Sequence, residues 1–344
     1  MKSQTSDVDP RDKDKLAREW GREIARFRTP HLGRSTLELA VTVIPFVCIW
    51  AAAAVAIVNG YWIGLLLTIP AAGFLVRLFM LQHDCGHGSL FPHSGLNNWI
   101  GRAIGILTFA PYDYWRRSHA IHHATAGNLD SRGVGDIATL TVDEYMSLST
   151  LRRAQYRAYR HPLVMFGLGP AWVFICQYRL PIGMMRGGSE PWISTIATNV
   201  GILVISGALI WLIGPVAFLA VQVPTLLLAA TAGVWLFYVQ HQFEETHWSE
   251  EEDWNFHSAA VHGSSFYDLP PIMRWFTGNI GVHHVHHLSS KVPFYRLPDV
   301  LDAIPDLKQV GRITLRQSLG CVKLVLWDSR SKRLVSFREA FAQS

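Results

Sequence analysis

The chain has 344 residues, 49% of them hydrophobic, and a formal net charge of +5. Those totals fit one or two soluble domains, but the charge is unevenly spread: no Lys, Arg, Asp or Glu occurs from Ala40 to Val76 or from Pro191 to Phe243. Each gap is long enough for two crossings of a hydrocarbon core that needs ~20 apolar residues per helix, which argues against a purely soluble protein; the excess of cations suits an anionic leaflet or an acidic protein partner, and no nucleic acid is expected.

In chain order, residues 1–37 form a polar segment rich in Asp, Lys and Arg. It lacks the short apolar run and cleavage site of a signal peptide, so the first hydrophobic helix is expected to remain as an anchor. The turn-forming pairs Asn59-Gly60 and Gly214-Pro215 divide the two gaps. They predict helices near 39–58, 62–81, 192–213 and 216–238, hence two transmembrane hairpins over 39–81 and 192–238. The tight turns carry no Lys or Arg, whereas the tails and the central region 82–190 carry nearly all of them. The positive-inside rule then places both termini and the central region in the cytoplasm. Arg77, about one turn from the end of the second helix, is expected to snorkel to the interface or to pair with a lipid phosphate.

Residues 239–344 complete a single membrane domain as a cytoplasmic cap. There Leu297, Val300, Leu301 and Ile304 are spaced like one helical face, and Val322 to Phe337, with Asp328-Ser329-Arg330-Ser331 at its centre, reads as a short hairpin. The expected fold class is an all-α integral membrane protein of four transmembrane helices, interfacial helices and a helical cap. Cys48, Cys85, Cys176 and Cys321 show no CxxC spacing, so neither a disulfide framework nor a zinc knuckle is expected.

Sixteen histidines are present, and eight fall in three short clusters. These are His83 and His87, then His119, His122 and His123, then His283, His286 and His287. On a helix, residues i, i+3 and i+4 share a face, so each cluster can aim its imidazoles at one point. The first cluster continues the second membrane helix and the third follows the fourth, which allows all three to meet at one membrane boundary. A shared site requires an even number of crossings between clusters. The apolar segments Leu96–Ala110 and Leu163–Tyr178 must therefore lie along the interface or re-enter. Imidazole suits zinc, copper, nickel and iron alike, but so many ligands exceed one closed tetrahedron and serve two metals that keep open positions. No carboxylate stands in the ligand registers.

The segments His83-Asp84-Cys85-Gly86-His87, His119-Ala120-Ile121-His122-His123 and His283-His284-Val285-His286-His287 resemble the HxxxH, HxxHH and HxxHH boxes of the membrane fatty acid desaturase family. Ala124 through Asp130 and Gln240-His241-Gln242-Phe243-Glu244 are similar to its acyl-lipid, Δ12/ω6-type, bacterial-like branch. The resemblance covers roughly residues 38 to 300. It implies a mushroom-shaped fold whose cytoplasmic cap holds a di-iron site with about nine histidine ligands, O2 as co-substrate and an acyl lipid as substrate. It places a ninth ligand between the fourth helix and the last box. His241 is preferred for that role over His247 and His257, while His284 is left on another face. His31, His93 and His161 lack ligand spacing.

The groups expected to orient the imidazoles are Asp84, Asp130, Asp136, Glu244 and Asn279. Phe109, Tyr112, Trp115, Trp254 and Phe266 are candidate walls of a substrate tunnel, alongside Phe91, Trp99 and Tyr267. The inferred reaction takes two hydrogens from adjacent methylenes, leaving a cis double bond and water. No haem or flavin domain is recognisable, so electrons are expected from a separate donor such as a ferredoxin or cytochrome b5. The basic run Arg152, Arg153, Arg157 and Arg160 is a candidate docking site for it, or a seat for phospholipid head groups. The expected location is a bacterial inner membrane or its equivalent. Rival readings are a hydroxylase, ketolase or acetylenase with the same boxes, and a metal-transporting or metal-sensing membrane protein. Transport would need polar ligands near the bilayer midplane, where the predicted hairpin helices offer no His, Asp or Glu.

Overall fold

The computed structural model describes residues 10–133 and 135–342, with side chains from Asp14 onward. Residues 1–9 of the N-terminal segment, Val134 and residues 343–344 lie outside the described residues. In order, the chain forms α1 (Pro10–Ile24), α2 (Leu32–Val58), α3 (Thr68–His87, entered through a 3-10 segment at Trp62–Leu67), α4 (Ser94–Leu107), α5 (Tyr112–Thr125), β1 (Leu140–Thr141), α6 (Val142–Ser147) and α7 (Thr150–Tyr159). There follow a short α8 (Gly169–Ala171) between two π-helical turns, α9 (Ser189–Ile213), α10 (Pro215–His241), α11 (Phe256–His262), β2 (Phe266–Asp268), α12 (Pro271–Phe276) and α13 (His283–Leu288). The C-terminal part is α14 (Leu297–Ala303), β3 (Arg312–Thr314), α15 (Leu315–Cys321), β4 (Leu326–Asp328), β5 (Arg333–Val335) and α16 (Phe337–Ala342).

Four helical spans are long and apolar enough to cross a membrane: Leu32–Val58, Trp62–His87, Ser189–Ile213 and Pro215–His241. Their two turns fall at Asn59-Gly60 and at Gly214, as the turn-forming pairs predict. Half of the most apolar window of the second span is buried inside the protein, against 6% for α9. α3 is therefore the central post and α9 an outer, lipid-facing helix, with Leu203 and Trp211 exposed. α3 also runs further than the apolar pattern suggests. It ends only at Gly88, whose φ of 64° is the left-handed conformation that glycine adopts at a helix C-terminus. The extra turns carry His83 and His87.

Arg77 neither snorkels nor faces lipid. It is 2% exposed and pairs with Glu38 of α2. Its guanidinium also donates to Thr42 Oγ1 (3.1 Å) and to the Trp275 carbonyl, and lies 3.9 Å from the Trp275 ring centroid. A cation in this position cannot stay unpaired in a low-dielectric interior. Glu38 lies just before the charge-free stretch, where the sequence pattern gives no sign that it faces inward. Together the pair joins α2, α3 and the cap residue Trp275 below the histidines.

The segment Leu163–Tyr178 is not a regular spanning helix. Its π-helical turns at Val164–Leu168 and Trp172–Cys176 flank Gly169-Pro170-Ala171, and Phe166 accepts a hydrogen bond on its carbonyl from Thr231 Oγ1 of α10 (2.8 Å). The cap contains a small sheet of order β1-β4-β5, parallel then antiparallel, and a parallel β2–β3 pair. The β4–β5 hairpin is the one expected around Asp328-Ser329-Arg330-Ser331.

Replacing Glu38 by Leu leaves Arg77 buried with neutral partners only, and should lower stability by about 3–5 kcal/mol, whereas Glu38→Leu/Arg77→Met should recover most of the loss. Thermal unfolding in detergent measures both, and equal losses in the single and double variants would remove the pair from this account.

Candidate metal centre

Four elements deliver histidines to one place. α3 brings His83 and His87 on its last turns, α5 brings His119, His122 and His123, α10 ends on His241, and α13 carries the third cluster. α13 has only six residues and needs outside support. Gly281, just before it, sits so tightly against β2 that a Cβ there would lie 2.4 Å from the Tyr267 carbonyl, and its own carbonyl accepts from Tyr267 N–H (2.7 Å).

The nitrogens form two groups, His83, His87, His119, His123 and His286 in one and His122, His241, His283 and His287 in the other. Within the first, Nε2 atoms follow one another at 3.0 Å (His119 to His83), 3.1 Å (His123 to His119) and 3.1 Å (His286 to His123). In the second the spacings are 3.2 Å (His122 to His241), 3.0 Å (His283 to His241) and 3.1 Å (His287 to His283). Each of the second and third clusters is shared between both groups.

Which nitrogens carry protons decides what these spacings mean. His122 Nδ1 lies 2.5 Å from Asp136 Oδ1, and His241 Nδ1 lies 3.3 Å from the Gly263 carbonyl. Both oxygens accept, so both Nδ1 atoms hold a hydrogen, and the two Nε2 atoms are left turned toward each other. Two lone pairs at 3.2 Å repel unless a cation lies between them. His87 Nε2 adds to this, being buried with no hydrogen-bond partner. Burial, reinforced by the neighbouring imidazoles, holds His119, His123, His283, His286 and His287 well below the ordinary value of 6.5, so they stay neutral and able to donate electron pairs. Nitrogens about 2.1 Å from one ion are about 3.0 Å apart at right angles and about 3.4 Å apart at tetrahedral angles. The observed spacings are short enough for neighbouring imidazoles to share an ion, and the nine histidines of the two groups exceed the four ligands of a closed structural zinc. The residues present thus fit a pair of metal ions.

Of the expected orienting groups, two reach the centre. Asp136 holds His122, and Asp84 Oδ1 stands 3.5 Å from His83 Nδ1 while its Oδ2 accepts from Phe294 N–H (2.7 Å). The other three are corrections. Asp130 accepts from the Glu251 N–H, Glu244 is exposed, and Asn279, at a φ of 52°, donates to the Phe294 carbonyl. These positions follow from turn geometry, which sequence proximity does not report. The Gly263 carbonyl on His241 leaves no side-chain signature to find. His284 faces away, with Nε2 2.9 Å from the Leu307 carbonyl, and burial lowers its pKa to about 4. His247 is exposed beside Ser249, and His257 belongs to neither nitrogen group.

A cavity of about 1140 Å³ runs from the membrane helices to the histidines. α3 and α10 line it with residues such as Leu75, Phe79, Ala230 and Gly233, and His83, His119 and His283 stand at its polar end. Trp115 is in its wall, but the other four candidate aromatics are not. Tyr112 is fully buried and donates to the Cys85 carbonyl (2.8 Å). Phe109 packs near Arg179, Trp254 donates to the Ala126 carbonyl (3.1 Å), and Phe266 lies in β2 beside His284. The wall is largely made by aliphatic and small residues of the spans and of Leu163–Tyr178, which read in sequence as ordinary membrane residues. The basic run on α7 is likewise mostly engaged: Arg153 binds the Leu148 carbonyl, Arg157 the Tyr145 hydroxyl, and Arg160 is 4% exposed with bonds to Tyr238 and Gln242.

A family model described as fatty acid desaturase matches residues 60–312. The chain is 44% identical over 317 residues to a fatty acid desaturase of Bacillus subtilis, covering 92% of this chain and 90% of that protein. It is 29% identical over 237 residues to the sn-1 acyl-lipid omega-3 desaturase (ferredoxin) of Synechocystis sp., covering 66% and 63% of the two chains. It is 26% identical over 245 residues to the acyl-lipid omega-3 desaturase (cytochrome b5), endoplasmic reticulum, of Arabidopsis thaliana, covering 66% and 59%.

Metal analysis of purified variants tests the two-group arrangement. His241→Ala should lose about half of the bound metal, and Asp136→Asn should weaken binding by roughly 10–100-fold. His247→Ala, exposed and outside both groups, should keep the full complement; equal losses in all three would contradict the grouping.

Proposed function

The chain belongs to the fatty acid desaturase family, and we propose that each of its two histidine groups holds one iron and that the pair works with O2 on the acyl chains of membrane lipids, drawing electrons from a separate carrier protein. The observation that carries this reading is the cavity: lined mostly by apolar side chains, it also includes His83 and His119 of one group and His283 of the other. An acyl chain has no polar handle along most of its length, so its position must be set by the shape of such a slot.

A bound iron pair would supply, from O2 and two electrons, the oxidising power needed to break unactivated C–H bonds. The residues do the rest. Phe79, Trp115, Ala230 and Phe237 exclude water from the chain and hold one stretch of it against the imidazoles; such fixed proximity is worth several kcal/mol, on the order of 7–11 at best, of the barrier. Asp136 and the Gly263 carbonyl keep the Nδ1 protons of His122 and His241 in place, so that both Nε2 atoms face the metal position. The balance is two hydrogens from adjacent methylenes, one O2, two electrons and two protons, giving a double bond and two waters.

The relatives named above are desaturases, which favours double-bond formation over hydroxylation. The four apolar spans make this a membrane protein. The same side for both termini and the metal centre, facing the cytoplasm, is proposed from the distribution of Lys and Arg.

Expression in a host lacking polyunsaturated lipids, followed by double-bond mapping, tests the reaction. New double bonds that vanish in His83→Ala and His283→Ala variants are expected, and oxygenated chains alone would favour the hydroxylase reading. A second variant tests the slot. A Cβ added at Gly233 meets nothing within 4 Å and the residue lines the cavity, so Gly233→Phe should place its bulk in cavity space. Long acyl chains should lose conversion more than short ones. An unchanged chain-length profile would move the substrate elsewhere.

A further inference from the structure

The two histidine groups are not equally covered. In the first, His87, His119 and His123 are partly exposed, whereas all four members of the second are buried. An electron arriving on another protein crosses the gap at a rate that falls steeply with distance. The shortest entry is therefore over the less covered first group, on the side of His87 and His119.

What surrounds those imidazoles is small and cationic. On α5, exposed Ala120 follows His119 directly and is too short to hold a partner away, with exposed Arg117 one turn before it. Arg116, its side chain 34% exposed, reaches back toward α3, where a Cβ at Gly86 would lie 3.7 Å from Arg116 Cγ. On the other side, exposed Lys291 donates to the His87 carbonyl (2.5 Å), and exposed Arg28 donates from Nε to Ser289 Oγ (2.8 Å), two residues earlier. The acidic groups on these cations are Glu190, 3.5 Å from Arg116, and buried Asp113, which Arg102 also holds. The acidic run Glu250–Asp253 lies beyond the far end of α5, where Glu251 accepts from Asn128 Nδ2 (2.6 Å).

We propose that Arg116 and Lys291, beside His87 and the start of its C-cap, with exposed Arg28 and Arg117 flanking them, form the docking face for a small acidic protein that carries one electron at a time. This deepens the function proposed above and rests on it. Cations over the electron entry and acids to one side attract an acidic carrier and orient it. At each docking the carrier is oxidised by one electron and the centre reduced by one, so two dockings supply one double bond. The face is preferred to the run Arg152–Arg160 because it adjoins His87, whereas Arg160, the end of that run nearest Gln242, is buried.

The test is anaerobic stopped-flow reduction of the iron-loaded, full-length protein in detergent, with a reduced acidic [2Fe–2S] ferredoxin or cytochrome b5 as probe and dithionite as the small reductant that needs no docking. Reduction by a carrier should slow as ionic strength rises. Ala120→Glu and Arg117→Glu/Lys291→Glu should each slow it by about tenfold or more and flatten its salt dependence, with iron content and dithionite reduction retained. Carrier rates unchanged in both variants would overturn the proposal. So would a wild-type centre that dithionite reduces and neither carrier does. A protein that takes up no iron, or whose centre dithionite cannot reduce, would instead overturn the di-iron reading on which the proposal rests.

Discussion

The arrangement depends on one electrostatic constraint: neutral imidazoles cannot be packed with their lone pairs converging unless a cation accepts those pairs. His122 and His241 state it most sharply, since each has its Nδ1 hydrogen committed to an oxygen and its Nε2 turned to the other at 3.2 Å. For His283 and His287 of the same group, burial and the neighbouring imidazoles oppose the charged form, so their lone pairs stay available. Metal binding and local folding are therefore one process at this centre, as they are wherever ligands from distant segments converge.

The membrane dictates where that convergence can occur. α3 and α10 each serve twice, lining an apolar cavity along their buried length and presenting histidines where they end. A helix that leaves the bilayer at the metal is the simplest device for holding a lipid-derived chain beside a polar centre, because one rigid element fixes both. The outer helix α9 has no such duty and is covered by little else in the protein.

What could be read in the sequence, and what could not, divides along the same physical lines. The box histidines were legible because helical spacing puts them on one face, and the spans were legible because a hydrocarbon core excludes charge over a known length. The metal-bearing ends of α3 and α10 carry that periodicity into the cap. Orientation of the rings was only half legible. Asp84 is next to its histidine in sequence, but Asp136 reaches His122 across a loop with no periodicity, and Asp130 in the same loop does not. The cavity walls are mostly hidden in sequence, since Leu75, Ala230 and Gly233 differ from lipid-facing residues only by the side of the helix they occupy. Arg77 looked like a snorkelling cation because its partner, Glu38, sits outside the apolar stretch that defines the helix in sequence.

The third cluster shows how far the centre relies on the cap. A six-residue helix has too few internal hydrogen bonds to hold its own shape, yet α13 contributes to both nitrogen groups. Its register is imposed from outside. The amides of His283 and His284 donate to the Ser265 carbonyl, Gly281 lies flush against Tyr267, and His284 is anchored on the Leu307 carbonyl. β2 in turn is paired with β3, so the C-terminal part of the chain acts on the α13 histidines through a strand pair and a short helix. This explains why a segment with no chemistry of its own follows the last histidine. Without it the α13 imidazoles would be flexible ligands on a loop, and a centre that must keep open positions cannot rely on the metal alone to gather them.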